Sequence, residues 1–155
     1  MNTSSLVWQR IGITLFWLTY PISWSKLRGS KRTRVLIVCG NYVVVTKRWL
    51  GEGKWSLPGG GLHRQEESTD GALREVREET ALQLKSTRLK RDSEQIYEYH
   101  GLSFSYALFT TKLSRRLPLK AQSFELVAAE WIHYSQLNAS NAQPDVLSAV
   151  VGWWG

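Results

Sequence analysis

Cysteine is nearly absent from this chain. Cys39 is the one thiol in 155 residues, so an intramolecular disulfide and a cysteine-rich zinc site are both excluded. It ends the apolar run Val35-Leu36-Ile37-Val38-Cys39, which reads it as core packing and suits a reducing, cytoplasmic setting. Histidine is scarce as well. His100 and His133 show no metal-ligand spacing with one another, and His63 falls in a glycine-rich loop where solvent exposure is the simpler reading. Internal repeats, low-complexity tracts and a small-residue cleavage site of the export type are all missing. Acidic residues are the minority charge: 13 against 20 Lys and Arg, a formal net charge of +7. That excess favours anionic partners such as nucleotides, RNA or acidic lipid.

What is present describes a folded domain. A hydrophobic fraction of 43% and a charged fraction of 21% lie within the globular range and exclude wholesale disorder. Residues 6–24, "LVWQRIGITLFWLTYPISW", stand apart as apolar and aromatic, interrupted by Gln9, Arg10 and Pro21. The uninterrupted piece from Ile11 to Ile22 is short for a helix crossing a hydrocarbon core of about 30 Å. Lys26, Arg28, Lys31, Arg32 and Arg34 follow it closely. Three readings stay open: a helix packed on the domain or on a second subunit, a segment lying at a membrane surface through residues 6–34, or a signal anchor. The chain is therefore divided into a segment 1–32 and a domain 33–155.

From Arg34 onward the pattern is that of a compact α/β domain. "RVLIVCG" and "YVVVTKRW" are β-branched runs around the turn dipeptide Gly40-Asn41, which predicts a hairpin. "LGEGKWSLPGGGL" reads as loop. Ser68 to Thr80 reads as a helix with Ser68 or Thr69 as N-cap. Strands are expected near Lys85–Lys90, Gln95–Tyr99, Leu102–Leu113 and Ala129–His133. Pro144 would open a last helix, Asp145 to Val151, at its first position.

The first helix carries an electrostatic conflict. On a helical wheel Ala72, Leu73, Val76 and Thr80 share a core-facing arc, and Glu75, Glu78 and Glu79 form a contiguous acidic arc along its edge. Glu75 and Glu79 are like charges one turn apart, a pair that destabilises by a few tenths of a kcal/mol. Glutamates late in a helix also oppose its macrodipole. A divalent cation such as Mg²⁺ or Mn²⁺ would offset these penalties, because both take hard oxygen ligands and accept more from phosphates. A solvated acidic face with Arg74 pairing to Glu78 is the alternative.

The spacing narrows the choice. Gly60, five residues, Glu66, seven residues, and then Arg74-Glu75-Val76-Arg77-Glu78-Glu79-Thr80-Ala81-Leu82 resembles the signature of the Nudix hydrolases, G-x5-E-x7-R-E-U-x-E-E-x-G-U with U apolar. Ala81 stands where that family usually has glycine. If the position needs a positive φ, Ala costs about 1 kcal/mol there relative to Gly. The resemblance implies an αβα sandwich with a mixed central β-sheet over about residues 33–151. It further implies Glu75, Glu78, Glu79 and the Gly60 carbonyl as ligands of Mg²⁺, with Mn²⁺ as substitute, and Glu66 and Arg74 as residues that orient the pocket. The activity implied is hydrolysis of a diphosphate bond in a nucleoside diphosphate linked to another moiety.

In many relatives the general base lies outside the signature, in a loop before a late strand that carries a tryptophan. Glu125, six residues before Trp131, is the counterpart here, Glu130 a weaker one, and Glu75 could serve instead. Tyr42, Trp55 and Phe104 are candidates to stack on a base, each with core packing as its plainer role. Trp153 and Trp154 are expected to cover the core or a subunit interface of a homodimer. The substrates that the resemblance implies span small nucleotides to RNA 5′ ends, and the rival function is a nucleotide- or RNA-binding module on the same fold that does not hydrolyse.

Overall fold

A computed structural model of the chain describes residues 31–49, 52–99, 102–122 and 125–155. Six strands are laid down in chain order: β1 (Arg32–Cys39), β2 (Tyr42–Arg48), β3 (Trp55–Ser56), β4 (Lys90–Tyr99), β5 (Leu102–Lys112) and β6 (Leu126–His133). Helix α1 (Ser68–Thr80) falls between β3 and β4, and α2 (Pro144–Trp154) closes the chain. Ser86–Arg88 is a short 3-10 turn where the sequence suggested a strand. The expectations for residues 1–30 lie outside the described residues. Among the described residues no helix is long and apolar enough to cross a membrane.

The predicted hairpin forms, with Gly40 in the left-handed region at φ 56° as its turn demands. It then splays. β1 and β2 pair only at Val38↔Val43 and Cys39↔Tyr42, after which β1 runs parallel to β5 and β2 turns its far end to β3. The glycine loop occupies the fork: Thr33 N–H donates to the Gly60 carbonyl at 2.9 Å, Val35 N–H to Pro58 at 2.9 Å and Leu62 N–H to Lys31 at 3.0 Å. The sheet order is β3-β2-β1-β5-β4, with β6 antiparallel on the other edge of β2.

Both faces of the sheet are covered, which is why β1 and β2 read as unbroken apolar runs instead of alternating ones. Strand parity sorts the core into two. Leu36, Val38, Val43 and Val45 pack with Trp55, Tyr106 and the α2 residues Val146, Ala149 and Val150. Val35, Ile37, Val44 and Phe109 pack on the other face with Ala72 and Val76 of α1. The layers are helix, mixed sheet, helix.

Arg34 belongs to a basic cluster in the sequence yet lies in the interior. It shares parity with Leu36 and Val38, is 6% exposed, and donates through Nε to Asp145 Oδ2 at 2.9 Å in the first turn of α2. A buried ion pair is tolerable only when its hydrogen bonds are satisfied. Asp145 meets that condition, since it also accepts from Val146 N–H at 2.9 Å.

Candidate active site

Helix α1 supplies the acidic wall. Its entry differs from expectation: Glu67 is the N-cap and makes no side-chain cap bond, so Ser68 and Thr69 lie inside the helix. Gly71 N–H already reaches the Glu67 carbonyl at 3.0 Å, which sets the boundary one residue earlier. Its exit matches. Ala81 adopts φ 65°, ψ 4° and donates its N–H to the Arg77 carbonyl, a left-handed helix stop of the kind glycine serves best. Ala72, Val76 and Thr80 are buried as the wheel predicts, Leu73 of the same arc is only partly buried, and Glu79 is buried at 3% exposure.

Three consecutive glycines let main chain pass beneath these carboxylates. Gly59 sits at φ 145°, and a Cβ there would collide with the Thr33 carbonyl. A Cβ on Gly60 would lie 2.5–2.7 Å from the carboxylate atoms of Glu75, so glycine lets the main chain approach while that carboxylate keeps its place. A Cβ on Gly61 would meet nothing.

Two arginines organise the acids. Arg74 donates through Nε and Nη2 to the two oxygens of Glu66 at 2.8 and 2.9 Å, a bidentate pair, and through Nη1 to Glu75 at 2.8 Å and Glu78 at 3.3 Å. Its Nη2 also reaches the Gly61 carbonyl at 3.1 Å. Charge-assisted bonds of this number fix geometry as well as charge. With Arg74 and the His63 N–H both donating to it, Glu66 is held down to a pKa of about 2, Arg74 being the larger cause. The second arginine escaped sequence reading. Arg48, the last residue of β2, donates Nη2 to Glu79 at 2.6 Å and Nη1 to Glu125 at 2.8 Å. The chemical signal for it was thin: a basic residue at the end of an apolar strand.

Glu79 accepts from Gly59 N–H at 3.0 Å as well as from Arg48. Burial nonetheless pushes its carboxyl up, outweighing Arg48 and the Gly59 bond. Glu125 is tied to the site by the Arg48 bond and by a backbone bond from Trp49 N–H to its carbonyl at 3.0 Å, among its contacts. Glu75, Glu78, Glu79, Gly60 and Glu125 all line one cavity of about 300 Å³, with Arg32, Arg48 and Gly61. Glu130 does not line it.

The donor chemistry fits a hard divalent cation, with carboxylate and carbonyl oxygens on one cavity and, among the described residues, no sulfur or imidazole on its walls. Among the described residues, no three His, Cys, Asp or Glu side chains converge as a ready cage. The carboxylates turn to Arg74 and Arg48 instead, and a cation would compete with those guanidinia for the same oxygens.

The remaining candidates fall elsewhere. His63 is exposed on its loop. His133 bonds Ser135 Oγ at 2.8 Å, and His100 lies outside the described residues. Trp55 is core with Lys47 over its ring, and Phe104 stacks on Tyr97 inside. Tyr42 carries Arg116 on its face. Trp154 stacks on Tyr134, while Trp153 is 39% exposed.

Comparison with known proteins agrees with this geometry. The chain is 29% identical over 91 residues to Nudix hydrolase 2 of Arabidopsis thaliana, covering 59% of this chain and 32% of that one, so it spans about a third of that relative's length. The NUDIX domain of Shewanella oneidensis NrtR, solved with ADP ribose, superposes with a TM-score of 0.65 at 17% identity over 79% of this chain and 84% of that one. A bifunctional NMN adenylyltransferase/ADP ribose pyrophosphatase of Francisella tularensis, solved with AMP and a manganese ion, gives 0.68 at 16% identity over 88% and 47%. An Ap4A hydrolase of C. elegans gives 0.58 at 16% identity over 81% and 99%. At these identities the structures speak to the fold alone. The NUDIX domain family model, however, matches residues 29–150, a span that holds the splayed hairpin, the glycine loop and the acidic helix together, and the chain belongs to that family.

Proposed function

We propose that this chain is a divalent-cation-dependent hydrolase that cleaves a diphosphate linkage in a nucleoside diphosphate derivative. One observation carries the reading: three helix glutamates and the glycine loop share a single cavity. The activities of similar proteins, an ADP ribose pyrophosphatase and an Ap4A hydrolase, support it.

Glu75, Glu78, Glu79 and the Gly60 carbonyl would hold the ion. That carbonyl accepts one bond from Thr33 N–H and keeps a second lone pair. When bound, Mg²⁺ or Mn²⁺ supplies charge to polarise a phosphoryl oxygen and lower the pKa of water. The chain's own residues do the rest. Arg74, locked to Glu66, sets the rotamers of Glu75 and Glu78. Gly59 fixes Glu79. Glu125, half-exposed on the cavity wall, would take a proton from an attacking water.

Release of phosphate or nucleoside monophosphate should be followed over ADP ribose, dinucleoside polyphosphates, nucleoside triphosphates, nucleotide sugars, cofactor dinucleotides and RNA 5′ ends, with Mg²⁺ and with EDTA. Metal-dependent turnover of one class is expected. Binding of these compounds without turnover of any would replace this reading with that of a sensing module.

A further inference from the structure

The site's cations differ in one respect. Arg34 is paired to Asp145, Arg48 to Glu79 and Glu125, and Arg74 to Glu66, Glu75 and Glu78. Arg32 makes no ion pair and donates no side-chain hydrogen bond to any described residue, and its Nε is buried without an acceptor. Burying an unmatched donor costs free energy.

Its placement is fixed on three sides. Arg32 opens β1, faces Gly61 across an antiparallel bridge and pairs in register with Tyr106 of β5. Its guanidinium carbon stands 5.0 Å from the Phe104 ring centroid, so an aromatic face supports the flat group from one side. The same side chain lines the acidic cavity. Burial, with Arg34 and Arg48 nearby, lowers its pKa to about 10, so it stays charged at neutral pH while lacking a counter-ion in contact.

We infer that Arg32 is a substrate-binding residue that receives non-bridging oxygens of the diphosphate, through the planar guanidinium fork, at the glycine-loop side of the cavity. This deepens the reading of the site as a diphosphate site and rests on it. A guanidinium presents two parallel N–H donors that match two phosphate oxygens, which an ammonium cannot reproduce. Among the described residues, charged side chains and glycine line the cavity, with no aromatic ring for a base. Arg32 therefore reads the phosphate portion that a class of nucleotide derivatives shares.

The test is calorimetric titration of the full chain, with Mg²⁺, against methylenebisphosphonate, a diphosphate analogue whose P–C–P bridge resists hydrolysis. Arg32→Met should weaken binding about tenfold or more, Arg32→Lys should weaken it by less, and Arg88→Met, an exposed charge change, should leave it alone. Melting temperatures are recorded for each variant. If Arg32→Met unfolds, Arg32→Lys decides: a folded Arg32→Lys with reduced affinity supports the inference, and one with wild-type affinity overturns it. A folded Arg32→Met that binds like wild type overturns it, as does a wild type that does not bind the probe. Binding that depends on Arg32 in a protein that turns over no nucleotide would sink the hydrolase reading and leave this one standing.

Discussion

Gly59 and Glu79 share a hydrogen bond in which the glycine N–H donates to Oε2 at 3.0 Å. The carbonyl of the same residue accepts from Arg34 Nη1 at 2.7 Å, and Arg34 is held in turn by Asp145. One glycine thus couples a buried ion pair between β1 and α2 to the deepest carboxylate of the acidic helix. No side chain could stand at Gly59, because its Cβ would strike the Thr33 carbonyl. The buried pair and the site carboxylate are parts of one support.

Glu78 and Glu79 should be separable by stability. Glu78→Gln, at a half-exposed position, should lower turnover about a hundredfold or more without moving the melting temperature. Glu79→Gln should lose activity to a similar degree. Burial raises the Glu79 carboxyl, so its ionised form works against folding as pH rises through its folded value. Saturating Mg²⁺ at pH 8 should therefore raise the wild-type melting temperature by a few degrees and that of Glu79→Gln by little. Equal shifts in scanning calorimetry would remove Glu79 from the cation site.

Gly60→Ala and Gly61→Ala form a matched pair. The first puts a methyl group against the Glu75 carboxylate, the flexible end of a side chain that can swing aside, and the second meets nothing. Gly60→Ala should cut turnover at least tenfold while melting close to wild type, and Gly61→Ala should keep activity. Steady-state kinetics on both variants, with thermal melts, checks the contrast.

Glu66 gives a pH signature. Its pKa of about 2 is below the ordinary carboxylate value, so the stabilisation it provides is fully present above the unfolded value near 4.3. That stabilisation is lost as pH falls toward 2. Melting temperatures between pH 5 and 2 should drop more steeply for wild type than for Glu66→Gln. Parallel curves would show that the Arg74 pair contributes nothing to acid stability.

Ala81→Gly should stabilise the protein by about 1 kcal/mol, because Ala81 sits at φ 65° where a Cβ is penalised. The expected rise is about 2–4 °C in melting temperature with unchanged KM, since Ala81 does not line the cavity. A fall in stability would place the cost of glycine's freedom in the unfolded chain above that of the strained cap.

The local features were legible because local chemistry sets them. Gly40-Asn41 between β-branched runs dictates a tight turn, Pro144 can open a helix but not continue one, and the spacing from Gly60 to Leu82 places three acids beside an apolar stripe whatever surrounds them. The parity of Arg34 with Leu36 and Val38 was also available, and it buries a residue that the chain groups with basic neighbours. What tertiary structure alone decided is which charges meet. Arg48 reaches Glu125 across 77 residues and Arg34 reaches Asp145 across 111, distances at which no period in the chain carries information. The splayed hairpin makes those meetings. By parting β1 from β2 it admits the glycine loop between them and leaves Arg32 at the cavity wall, near the charges of Glu75 and Glu79 but in an ion pair with no described residue.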